Sequence, residues 1–229
     1  MEIGIKKLDE LMNGGIKKGS NILLIGPPMS GKNVILNHMM YNSASKHENA
    51  VISVNTYEPG TRVLEWFREN KLNLPASRIG IVDCTTRMIG GEADEDEIIK
   101  IANSPVDLTL IGIKISQLFD RFFIRKNVKN IQLNINSLSA LLMYSNIKTV
   151  FKFLHVFTGR IKAMRGLGIY VMESGVHDIL AVGTLNQLFD GIIEVKVEND
   201  RNFIRVSGLS QKTTPWLEYE IDGANIRIG

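Results

Sequence analysis

The sequence predicts an α/β fold: a mainly parallel central sheet, helices on both faces, and antiparallel hairpins at the C-terminal end. Three observations predict it. Apolar runs of strand length alternate with helix-period segments over about the first 190 residues, the pattern of βαβ units. A glycine-bounded loop joins the first such run to a helix at residues 26–32. Beyond Asp190-Gly191 the helical period stops, and apolar runs flank short polar turns instead.

Composition sets the outer bounds. The chain has 229 residues, 44% hydrophobic and 22% charged, which suits one sizeable core. One domain over residues 1–229 is expected, with a β extension from about residue 190 onward. A net charge of +3 is too small to indicate a nucleic-acid or membrane partner. The single cysteine, Cys84, excludes a disulfide within the chain and suits a reducing cytoplasm. Glu2, Lys6, Lys7, Asp9 and Glu10 interrupt any leader, and no run is long and apolar enough to span a bilayer. A cytoplasmic protein is therefore expected.

The elements follow in order. Ile5, Leu8, Leu11 and Met12 fall at helical spacing, and Asn13-Gly14-Gly15 ends that helix. Residues 22–25 are the first buried strand and 50–54 the second. A helix starts near Pro59 and buries Val63, Leu64 and Phe67. Residues 79–82 are a third strand. The acidic stretch 90–97 leads into an expected helix carrying Ile98, Ile99 and Ile101, which Ser104-Pro105 breaks. Residues 107–124 form a longer helix and 131–135 a fourth strand. A helix over about 148–165 ends at glycine, and residues 169–172 are the fifth strand. A short helix over Leu180, Leu185 and Leu188 precedes two hairpins, 192–206 and 217–228.

The loop carries the chemistry. Gly26-Pro27-Pro28-Met29-Ser30-Gly31-Lys32-Asn33-Val34 matches G-x-x-x-x-G-K-[S/T] everywhere but at the last position, Asn33. The two glycines permit backbone geometry that a side chain obstructs. Backbone N–H groups at the positive end of a helix then surround an anion, and Lys32 supplies full charge to the outer phosphates. The hydroxyl that Asn33 replaces is a magnesium ligand in such loops. The phosphate cradle is therefore intact while the metal position is weakened. In an open parallel sheet, ligands sit at the carboxyl ends of the strands. The loop, Glu58, Asn136 and residues 173–177 all fall there, which argues one shared site.

Gly4-Ile5-Lys6-Lys7-Leu8-Asp9-Glu10-Leu11, with Gly14-Gly15 and Gly19, forms an entry segment ahead of the loop. With residues 131–142, 203–210 and Asp222-Gly223-Ala224-Asn225-Ile226, it makes the chain resemble the single-domain, RecA-type P-loop ATPases of the archaeal KaiC and RadA-like group. The resemblance spans nearly the whole chain, and residues 104–113 and 142–161 resemble an archaeal RecA-like subgroup of unsettled role. It implies a RecA-like P-loop NTPase fold, ATP or ADP as ligand, and degenerate Walker motifs. Asn136 stands where the family's Walker B strand ends in the aspartate that holds magnesium, so magnesium binding is expected to be weak or absent and no metal site is assigned. Glu58 matches the family's catalytic carboxylate and is the candidate general base. A helix N-terminus also favours a carboxylate there, and both roles stay open. Arg205 matches a basic residue that relatives extend to a neighbour's γ-phosphate, but Ser207 has replaced the accompanying arginine. The resemblance further implies a homo-oligomer, or assembly with a related RecA-like subunit; the sequence names no other protein partner.

The expected function is a nucleotide-binding regulatory protein with weak or absent ATP hydrolysis, and two rival readings remain. One is an active magnesium-dependent ATPase in which Asn33 and Asn136 hold the ion and Glu58 is the base. The other is a RadA-like accessory protein on single-stranded DNA. The second is disfavoured: residues 136–147 carry no charge and 174–189 no Lys or Arg, whereas strand binding needs cations and stacking aromatics. Smaller signals read as structure. His177 is expected to bond Asp178, the acidic run 94–97 to be a solvated helix start, and His38, His47 and His155 to lack ligand spacing.

Overall fold

The computed structural model describes residues 1–46, 49–92, 94–210 and 212–229. His47 lies outside the described residues. The elements run α1 (Lys6–Leu11), β1 (Ser20–Gly26), α2 (Lys32–Tyr41), β2 (Ala50–Asn55), α3 (Gly60–Glu69), β3 (Ile79–Asp83), β4 (Ile99–Ile101) and α4 (Leu108–Phe119). Then follow β5 (Ile131–Ile135), α5 (Leu138–Tyr144), α6 (Ile147–Ala163), β6 (Leu167–Glu173) and α7 (Ile179–Asn186). The chain closes with β7 (Gly191–Glu198), β8 (Arg201–Ser207), β9 (Leu217–Asp222) and β10 (Asn225–Ile228). Helices α2 and α4 each loosen into a π-helical turn, Asn42–Lys46 and Asp120–Arg125.

One sheet orders the strands β10-β9-β8-β7-β1-β6-β5-β2-β3-β4. From β7 to β4 every neighbouring pair is parallel, because crossovers, helical except between β3 and β4, return the chain to the same end each time. From β7 to β10 the pairs are antiparallel, β7–β8 and β9–β10 being joined by tight turns. The strands near the middle are apolar on both faces, as expected when helices cover both. On one face Leu23, Ile52 and Leu133 pack under α4, α5 and α6 through Ile115, Leu141 and Leu154. On the other, Ile22, Leu24 and Ile169 pack under α1, α2 and α3 through Leu8, Ile35 and Phe67. Among the described residues no helix is long and apolar enough to cross a membrane.

Strand β5 breaks the apolar rule. Ile131, Leu133 and Ile135 join the first core cluster, while the alternate residues Gln132, Asn134 and Asn136 point to the opposite face and are equally buried. Ser53 of β2 pairs in register with Asn134, so the polar stripe continues across the strands. Gln132 Nε2 donates to Asn134 Oδ1 and Ser53 Oγ to Asn55 Oδ1, each at 3.0 Å. The Nδ2 groups of Asn55, Asn134 and Asn136 find no partner among the described residues. Buried amides of this kind call for water or a ligand.

Two elements differ from the sequence reading. Ile98, Ile99 and Ile101 do not form a helix. Residues 99–101 are the edge strand β4, parallel to β3, with Ile81 beside Ile99. The Asp96 carboxylate accepts the N–H groups of Ile98 and Ile99 at 2.6 Å, turning the chain into an extended course, and β-branched side chains favour it. The acidic run is thus the approach to a strand; Glu95 also pairs with Lys114 at 2.5 Å. Helix α5 was not foreseen. It is seven residues long and starts because Ser137 Oγ accepts the N–H of Ala140 at 3.0 Å.

Candidate functional site

Residues 26–32 leave β1 at its carboxyl end and enter α2. Both glycines are sterically required. A Cβ on Gly26 would lie 2.1 Å from Val195 Cγ2, on the neighbouring strand β7. Gly31 caps α2 with φ +77°, and a Cβ there would lie 2.1 Å from Ile221 Cδ1 of β9. The C-terminal meander therefore packs directly on the loop. Tyr219 of β9 adds a hydrogen bond from its hydroxyl to the Ser30 carbonyl. Burial pushes that phenol up to about 12, so it remains a donor at neutral pH.

Inside the loop, Lys32 is 4% exposed and its ammonium is saturated. It donates to the Pro27 carbonyl at 2.5 Å, Ser30 Oγ at 3.3 Å and Glu173 Oε2 at 2.8 Å, which uses all three N–H bonds. Ser30 Oγ donates to the same Pro27 carbonyl at 2.8 Å. The backbone N–H groups of Met29, Ser30 and Gly31, by contrast, donate to no group among the described residues. Met29 is fully exposed at the tip, Pro28 is exposed, and Val34 sits half-buried in the first turn of α2.

Glu173 ends β6 and pairs in register with Gly26. The N–H of Ser174 donates to the Gly26 carbonyl at 2.8 Å, and the N–H of Glu173 to Ser139 Oγ at 3.0 Å. His177 Nε2 lies 2.8 Å from the same Ser139 Oγ. The expected His177–Asp178 bond gives way to this contact, because Asp178 caps α7 by accepting the N–H of Ala181 at 2.7 Å.

On the other side, Thr56 and Asp83 fix the segment that carries Glu58. Asn136 Oδ1 accepts the Thr56 N–H at 2.9 Å and lies 3.1 Å from Thr56 Oγ1. A backbone N–H can only donate, so this bond sets the amide's orientation and leaves Nδ2 as the unpartnered end. Asp83, fully buried, accepts the N–H of Gly60 at 2.7 Å and so anchors the start of α3. Between these anchors, Asn33 Nδ2 donates to the Tyr57 hydroxyl at 2.5 Å, next to Glu58 in the chain. Burial pushes the Glu58 carboxyl up, against the pull of Tyr57 and Arg62. Burial and the adjacent Glu58 likewise push the Tyr57 phenol up.

The donor set fits an anion better than a divalent cation. Three backbone N–H groups without a partner among the described residues and the Asn136 amide offer hydrogen, beside the positive charge of Lys32. At the two expected magnesium positions, Asn136 has spent its oxygen on Thr56, and Asn33 offers one neutral oxygen. Hard cations prefer several oxygens, including carboxylates. Among the described residues no cluster of three or more His, Cys, Asp or Glu side chains has metal-holding geometry.

Arg205 lies on β8. Its guanidinium forks onto Glu194 of β7 at 2.6 and 3.1 Å and lies 4.5 Å from the centre of the Trp216 ring. Among the described residues no hydrogen bond joins it to residues 26–32. The residues that sequence reasoning missed are Tyr219, Ile221 and Val195, which support the loop, and Ser139, Thr56 and Tyr57, which orient the candidate groups. Only Tyr57, adjacent to Glu58, carried any local signal.

The crystal structure of the KaiC-like protein PH0186 from the hyperthermophilic archaeon Pyrococcus horikoshii OT3 superposes with a TM-score of 0.74 at 17% identity. The superposition covers 100% of this chain and 97% of that one, so the fold is of the RecA-like, KaiC type. No curated protein matches the sequence. A family model described as a family of unknown function, DUF7504, matches residues 19–195, from the start of β1 into β7. By that match the chain belongs to the DUF7504 family.

Proposed function

We propose that this chain is a nucleotide-binding regulatory module that takes the phosphates of ATP or ADP on residues 26–32 and hydrolyses ATP slowly or not at all. One observation carries the reading. The N–H groups of Met29, Ser30 and Gly31 have no partner among the described residues and surround the buried ammonium of Lys32 at the start of a ten-residue helix. That combination is an anion cradle. Slow hydrolysis is supported by the amide orientation at Asn136, which turns a donor where a metal-bearing site needs an acceptor.

Regulation would act through assembly with a second copy or a related RecA-like subunit, Arg205 being the candidate residue to reach a neighbour's phosphate. It would first have to leave Glu194. The second reading, a magnesium-dependent ATPase, draws on Glu58, whose carboxyl is raised by burial, as a general base requires. Calorimetric titration of ATP separates the two. Similar affinity with magnesium and with EDTA is the expected result. Binding that appears only with magnesium would overturn it in favour of the ATPase.

A further inference from the structure

The same loop holds an anion of its own. Lys32 Nζ spends one of its three N–H bonds on the Glu173 carboxylate, so the ammonium has no donor left for a phosphate. Of its three acceptors, two belong to the loop itself. Glu173 comes from another strand and is 32% exposed, so its carboxylate is the one that water can receive.

It has little room to retreat. The backbone of Glu173 is fixed by its N–H on Ser139 Oγ and by the next residue's N–H on the Gly26 carbonyl. A displaced carboxylate therefore stays beside the mouth of the loop. In loops of this pattern the lysine reaches the outermost phosphates. The charge nearest to Glu173 is then that of the terminal phosphate. Magnesium ordinarily neutralises that end of a triphosphate, and the amides at positions 33 and 136 are poorly suited to bring it.

We infer that Glu173 makes this a site for nucleoside diphosphates, discriminating against triphosphates by charge at the position where a γ-phosphate would lie. The inference rests on the nucleotide reading above and adds which phosphate chain the site takes. A diphosphate ends short of the carboxylate and needs only the loop N–H groups and Lys32. A triphosphate sets a further anionic group against Glu173. Glu173 is thus a specificity-determining residue rather than a catalytic one.

The test is calorimetric titration of ADP and of ATP, both in EDTA, into the wild-type chain and Glu173→Gln. Glutamine keeps the shape and an oxygen for Lys32 but removes the charge. The wild type is expected to bind ADP about ten-fold more tightly than ATP, the scale of one solvent-screened like-charge contact. In Glu173→Gln both ligands bind more tightly, ATP gains more, and the ratio falls below about three-fold. Glu173→Asp keeps the charge but withdraws it by one methylene, and an intermediate ratio is expected. It also serves if the glutamine variant fails a circular-dichroism check of folding. An unchanged ratio in the variants, or a wild type that prefers ATP, overturns the inference and leaves nucleotide binding standing. No binding of either ligand to any of the proteins overturns the nucleotide reading, and the inference with it.

Discussion

Lys32 and Glu173 form an ion pair whose two ends sit in different solvents, and that asymmetry predicts an unequal response to mutation. The lysine is 4% exposed and the glutamate 32%. Glu173→Ala strands a buried ammonium on two neutral acceptors, one of them at 3.3 Å. Breaking a fully buried pair in this way costs about 3–5 kcal/mol. Water can enter the space that Glu173 vacates, so roughly half of that, about 1–3 kcal/mol, is expected. Lys32→Met leaves the glutamate, which solvent already reaches, and replaces a buried charge by an apolar chain of similar length. Its effect should lie within about 1 kcal/mol of zero and can be stabilising. The double variant should match Lys32→Met, because Glu173 has nothing left to neutralise. Urea unfolding followed by circular dichroism reads all three. Should Lys32→Met cost as much as Glu173→Ala, the buried ammonium is not what the pair protects, and the reasoning fails.

Two further outcomes follow from the geometry. Gly31→Ala should cost about 2–4 kcal/mol, combining a left-handed φ with contact on Ile221 Cδ1; in an Ile221→Val background, which removes that atom, only the φ part of about 1–2 kcal/mol should remain. Equal penalties in both backgrounds by a double-mutant cycle would show that the meander does not press on the loop. Glu58→Gln should raise the melting temperature at pH 7 and not at pH 4. The folded carboxyl titrates above its unfolded value, so the wild type loses stability as pH rises through that window while glutamine does not; a gap that widens toward acid would contradict it.

The frame of the fold was legible because it is written in local period. The runs that became β1, β2, β3 and β6 are largely apolar on both faces, which a strand buried between helices needs, while β5 was legible from Ile131, Leu133 and Ile135. The loop was legible because glycine and lysine at fixed spacing have few other uses. The misreading at Ile98, Ile99 and Ile101 came from three apolar residues in four, a spacing that a short helix and an edge strand share. Pairing with β3 and the Asp96 turn decided it, and neither leaves a local mark. The supports of the site were not legible for a related reason. Tyr219 and Ile221 meet the loop from about 190 residues downstream, through the order of strands in the sheet. The orientation of the Asn136 amide is likewise set by a backbone N–H just beyond the end of β2.

That orientation alters what the substitution at position 136 means. Read from the sequence, asparagine for aspartate is a loss of charge. In the folded chain it is also a change of sense, from acceptor to donor, because the oxygen is held by Thr56 and the nitrogen is left over. Asn33 shows the same sense on the other side. Its nitrogen donates to the Tyr57 hydroxyl, whose proximity pulls against the burial that raises the Glu58 carboxyl. The two amides thus do different work. One holds the phenol next to the candidate base, and the other leaves a buried N–H pair without a partner among the described residues at the end of β5. A protein that had merely drifted from metal binding would have no reason to keep a buried donor unpaired, at about 1–3 kcal/mol for the unmet bond. Water or an anionic ligand resolves that cost, and a metal ion does not.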